Sequence, residues 1–64
     1  MFVNGKQLPL PDTVYLNKFL EKEGYDLQRI AVEKNGIIVP KKNYETEILS
    51  DSDKLEIVHF VGGG

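Results

Sequence analysis

Lys54-Leu55-Glu56-Ile57-Val58-His59-Phe60-Val61-Gly62-Gly63-Gly64 is the stretch on which the fold turns. It begins as a strand. Side chains alternate along an extended chain, so Leu55 and Ile57 share one face, and Glu56, Val58 and Phe60 share the other. Read over 54–61, it is the most apolar strand of the chain. Then three glycines follow. Glycine loses more backbone freedom on ordering than any other residue. Residues 61–64 therefore read as a flexible tail carrying one reactive group, the terminal carboxylate. With no Cβ, such an arm can thread a slit too narrow for other residues. The rest of the chain reads as a handle that presents this carboxylate to partner enzymes.

Working outward, Met1-Phe2-Val3 is a short apolar run followed by Asn4-Gly5. Asn-Gly is a strong hairpin signal, because both central positions of a type I′ turn need positive φ. The return strand is predicted over 6–10. Pro9 cannot donate a ladder hydrogen bond, so this strand belongs at a sheet edge. Pro11 breaks it, and Asp12 or Thr13 is placed to cap the helix that follows. That helix is predicted over 14–23. Leu16, Phe19 and Leu20 form one apolar stripe, and Gly24 sits where a left-handed C-terminal residue is expected. A second hairpin joins 30–34 to 37–39 through Asn35-Gly36. Residues 41–49 read as a long crossing loop with one helical turn, and 50–53 as a turn cluster.

The order is hairpin, helix, hairpin, crossing loop, strand. One helix stripe and one sheet face must share a core. The fold class is therefore α+β, a β-grasp as in ubiquitin-like proteins. It has a mixed sheet of four to five strands, one main helix on one face and a single domain over 1–64. The opening strand pairs with the final one inside the sheet. Met1, Val3, Leu55 and Ile57 then meet the helix. Phe2, Val58 and Phe60 lie on the uncovered face, where an apolar patch beside the tail makes a docking surface for partners.

Composition narrows the function classes. The net charge is −2, and the eight basic residues are scattered along the chain, which argues against nucleic acid. With no cysteine, disulfides, zinc–thiolate and iron–sulfur sites and a thiol nucleophile are excluded in this chain. No signal peptide and no membrane-length apolar run is present, so a cytoplasmic location without membrane contact is expected. His59 is the only histidine. One histidine in so small a fold supports no catalytic set, and the protein is expected not to be an enzyme. Glu47, Asp51 and Asp53 lack the ligand number and the glycine of a calcium loop, so no metal site is expected.

The chain resembles the thiamine-biosynthesis sulfur carriers, the ThiS family. The likeness runs through Val3-Asn4-Gly5-Lys6, Phe19-Leu20-Glu21-Lys22-Glu23-Gly24-Tyr25, the hairpin from Ile30 to Pro40, Asp51-Ser52-Asp53-Lys54-Leu55-Glu56-Ile57-Val58 and Phe60-Val61-Gly62-Gly63. It covers essentially the whole chain. Ser52 departs from the usual Asp-Gly-Asp turn; if that turn needs positive φ, Ser52 is strained there. The chain ends in three glycines rather than two, so Gly64 or Gly63 is the acceptor; the open end favours Gly64.

The resemblance implies a cycle. The terminal carboxylate is adenylated by an E1-like ThiS adenylyltransferase that uses ATP and Mg²⁺. Sulfur from a cysteine desulfurase-type donor then replaces AMP, leaving a thiocarboxylate. A thiazole synthase accepts that sulfur for the thiazole ring of thiamine. Gly64 is the modified residue, and Gly62 and Gly63 present it. The alternatives are a carrier for molybdopterin synthesis or another pathway, or a ubiquitin-like protein modifier. Molybdopterin-type chains usually run longer.

Overall fold

The computed structural model describes residues 1–60. Gly62, Gly63 and Gly64, and the expectation of a flexible tail, lie outside the described residues. The elements in chain order are β1 (Phe2–Val3), β2 (Lys6–Gln7), β3 (Val14–Tyr15), α1 (Leu16–Lys22), β4 (Ile30–Lys34), β5 (Ile37–Ile38), a 3-10 turn (Lys41–Asn43), β6 (Ile48–Leu49) and β7 (Lys54–His59). Five strands form one mixed sheet in the order β2-β1-β7-β4-β5. The central pair, β1 and β7, is parallel, with Phe2 beside Lys54 and Val3 beside Leu55. The remaining neighbours are antiparallel. Helix α1 covers one face, as the apolar stripe requires, with Leu16, Phe19 and Leu20 buried.

Met1, Leu55 and Ile57 join the buried core, together with Ile30, Val32, Val39, Tyr44 and Leu49, and Val3 packs against it half-buried. Both Asn-Gly turns adopt the backbone their chemistry favours. Asn4 and Asn35 have φ of 52° and 53°, and Gly5 and Gly36 have φ of 82° and 83°. Helix α1 closes as predicted on Gly24, at φ 84°. The Tyr25 N–H donates to the Leu20 carbonyl at 2.9 Å and the Gly24 N–H to the Glu21 carbonyl at 3.1 Å. That pair of bonds is the Schellman closure.

Four local expectations need correction. The helix starts at Leu16, not at residue 14, because Val14 and Tyr15 are extended and pair with Leu49 and Ile48. β-branched and aromatic side chains suit that pairing. Neither Asp12 nor Thr13 caps the helix, whose N-cap Tyr15 makes no side-chain capping bond. The first helical donors go instead to the crossing segment: Leu16 N–H to the Glu47 carbonyl at 2.8 Å and Asn17 N–H to the Tyr44 carbonyl at 2.9 Å. Those two bonds do the work of a cap. The return strand of the first hairpin ends at Gln7 rather than at residue 10. Beyond it, the Leu10 N–H turns to Asp51 at 2.9 Å. Ser52 is unstrained, since Asn4 and Asn35 alone among the described non-glycine residues have positive φ.

Candidate functional site: the uncovered sheet face

Strand parity assigns the face opposite the helix. Along β7 it presents Lys54, Glu56 and Val58, with Phe60 continuing the row; along β4 it presents Ala31 and Glu33. Cross-strand partners share a face, so Val58 lies against Ala31, Glu56 against Glu33, and Ile38 against Glu33 on the far side. Phe2, Val58 and Phe60 are exposed, at 47%, 60% and 47%. All three are therefore where the alternation put them. They do not form one patch, however. The parallel register sets Phe2 beside Lys54, at the opposite end of β7 from Val58. Four residues of strand separate Lys54 from Val58, about 13 Å. The contiguous apolar area is Val58, Ala31 and Phe60; Ile38 lies apart from it, directly across from Glu33 on the far strand.

Phe60, where the described chain ends, is firmly held. Its N–H donates to the Arg29 carbonyl at 2.9 Å. The Lys41 ammonium lies 5.8 Å from the centre of its ring, within cation–π range. Lys41 also donates to the Gln28 carbonyl at 3.1 Å. His59 stacks on Tyr25 with ring centres 5.5 Å apart. The single histidine thus acts as a packing surface for the last turn of strand and has no carboxylate or hydroxyl partner among the described residues.

Two residues escaped the sequence reading except as turn formers. The Asn4 side chain accepts from the Ile57 N–H at 2.7 Å and donates to the Ile57 carbonyl at 3.1 Å. It imitates one rung of a ladder where β1 has already turned away. Asn35 holds the start of the strand, its side chain accepting from the Lys54 N–H at 2.9 Å and donating to the Asp53 side-chain Oδ1 at 2.9 Å. Both turn asparagines therefore pin β7. The signal was present in the sequence: asparagine, unlike glycine, brings a donor and an acceptor to a type I′ turn.

The acidic cluster has structural employment. Asp51 Oδ1 accepts from the Met1 α-amino group at 2.8 Å, and that bond holds its carboxyl below the usual carboxylate range. Asp53 is buried. Burial pushes its carboxyl up, but donation from Asn35 and Ser50 and the nearby Lys34 charge outweigh this and leave it lowered. Lys34 donates to Glu47 Oε2 and to the Ile48 carbonyl, each at 2.8 Å. The Glu47 bond raises its ammonium above the usual range, against the opposing effect of burial. Among the described residues no group of three or more histidine, cysteine, aspartate or glutamate side chains is placed to hold a metal. No described helix is long and apolar enough to cross a membrane.

A mixed five-stranded sheet with a parallel pair at its centre and one covering helix defines a β-grasp domain of the ubiquitin-like kind. A solved structure of the thiamine biosynthesis protein ThiS from Geobacter metallireducens superimposes with a TM-score of 0.83 at 24% identity, over 98% of this chain and 96% of that one. The ThiS family model matches residues 2–64, and the chain belongs to the ThiS family. The sulfur carrier protein ThiS of Bacillus subtilis is 38% identical over 63 residues, 97% of this chain and 96% of that protein. A Paramagnetospirillum magneticum protein named thiazole synthase is 39% identical over 64 residues. This chain spans only 20% of that relative's length.

Proposed function

We propose that the protein is a sulfur carrier for thiamine biosynthesis and that its working atom is the carbonyl carbon of Gly64. The observation that carries this reading is the family match running through the glycine end. The full-length likeness to a sulfur carrier of Bacillus subtilis supports it. A carboxylate is a poor electrophile, so an activating enzyme first converts it to an acyl-adenylate with ATP and Mg²⁺. Sulfur, delivered by a cysteine desulfurase-type donor, then displaces AMP and leaves the thiocarboxylate. A thiazole synthase takes that sulfur. Likeness to a chain carrying the thiazole synthase name fits a partnership between the two activities.

In this reading the domain supplies binding and the partner supplies chemistry. Gly62 and Gly63 let the end enter a site that encloses the reacting carbon and excludes water. Val58 and Phe60 dock the body on the partner, and Phe2 contributes from a separate corner of the same face. In this reading the protein is a cosubstrate rather than an enzyme. The test is intact mass spectrometry after incubation with ATP, the adenylyltransferase and a sulfur donor. The expected product is heavier by the difference between one sulfur and one oxygen atom. An unchanged mass, with the adenylyltransferase shown to be active, would refute the proposal. The spectrum also reveals whether Gly64 is retained.

A further inference from the structure

The apolar docking area is interrupted by two carboxylates. Glu33 and Glu56 are direct cross-strand partners on the uncovered face, and both are exposed. Side chains directly opposite on a sheet begin about 5 Å apart, and like charges so placed repel. Neither forms an ion pair or a side-chain hydrogen bond among the described residues. Lys54 shares the face but makes no ion pair to either. Apolar side chains flank the pair: Val58 and Ala31 lie one rung along the sheet, and Ile38 stands directly across from Glu33. Ile38 is 69% exposed.

This placement has a consequence for any partner. A surface that covers Val58 and Ile38 also removes water from Glu33 and Glu56, which lie between them. Burying one unpaired carboxylate is costly, and burying two that already repel each other is costlier. Docking is favourable only if the incoming surface brings positive charge to that spot. We infer that the partner docking on this face presents an arginine or lysine between Glu33 and Glu56, surrounded by apolar side chains that meet Val58 and Ile38. A guanidinium fits best, because its fork can serve two carboxylates at once while its plane rests on apolar neighbours. The inference rests on the docking reading above and adds the chemistry of the partner. Like-charge repulsion in the free protein then becomes a source of selectivity, since a neutral or acidic surface is rejected.

The test is affinity for the adenylyltransferase of the same organism, measured by calorimetry at low and high salt. Variants Glu33→Gln, Glu56→Gln and Val58→Ser are compared with the parent. Each glutamine variant should bind about tenfold or more weakly at low salt, and the double variant should lose most of the salt dependence. The same variants should melt at the parent temperature or above it, because a repulsive pair has been relieved. That combination separates a docking role from a structural one. Glutamine variants that bind as tightly as the parent, while Val58→Ser binds weakly, overturn the basic-partner inference and leave the docking reading standing. Unchanged binding by Val58→Ser overturns the docking reading itself.

Discussion

Replacing Asn4 probes how the central strand is held at the end that leads to the glycines. Asn4→Gly keeps a backbone that accepts φ near 52° and keeps the turn type, since Gly-Gly also forms a type I′ turn. It deletes only the two side-chain bonds to Ile57, at 2.7 and 3.1 Å. A hydrogen bond contributes about 1 kcal/mol net, so the loss should be about 2 kcal/mol. Asn4→Ala deletes the same bonds and forces an alanine into the left-handed region, adding about 1 kcal/mol. For a domain of this size each kcal/mol moves the melting temperature by about 4–8 °C, so Asn4→Gly should melt about 8–16 °C lower. Asn4→Ala should melt lower still. Thermal denaturation followed by circular dichroism gives both values, and hydrogen exchange at the Ile57 amide should accelerate. An Asn4→Gly variant melting within about 2 °C of the parent would refute the idea that this side chain pins β7.

Phe60→Asp should weaken adenylyltransferase binding while barely moving the melting temperature, since Phe60 is half-exposed on the uncovered face; a large drop in melting temperature would show that it is core. Gly63→Val should leave folding intact and slow adenylation, read as ATP–pyrophosphate exchange, and normal exchange would argue against a narrow channel. Leu55→Ala, at a position with 0% exposure in the central strand, should cost about 3–5 kcal/mol in urea unfolding. Stability should also respond to pH at both extremes. The lowered Asp53 pKa contributes stability that is present above the unfolded carboxylate value and lost as pH falls through the folded one. The raised Lys34 pKa contributes stability that is present below the unfolded ammonium value and lost as pH rises through the folded one. Urea midpoints across pH should show both limbs, and Asp53→Asn should flatten the acid limb.

Much of this architecture was legible because its signals are local. Each Asn-Gly dictates its own turn, the helix stripe needs only three residues, and alternation along 54–60 assigns faces without knowing any neighbour. What escaped was non-local. The β3–β6 pair consists of two residues from each of two distant segments, too short to show a period, so Val14 and Tyr15 read as helix. Asp12 and Thr13 carry the local capping signal, whereas the structure uses carbonyls of Tyr44 and Glu47. Parity groups Phe2 with Val58 and Phe60 because it assigns a face but not a position along it. Only the parallel register separates them, and register belongs to the assembled sheet.

The parallel contact between β1 and β7 also shapes how the chain comes to be folded on the ribosome. Every other strand of the main sheet reaches its place through β7, directly or by one intermediary, and β7 is the last described element to be synthesised. A nascent chain that has not yet released Lys54–His59 from the exit tunnel holds two hairpins and a short helix, tied only by the two-residue β3–β6 pair and the bonds at the helix start. Such pieces are marginal alone. Folding must therefore wait for long-range closure, so that the uncovered sheet face and the strand that runs toward the glycines come into being together.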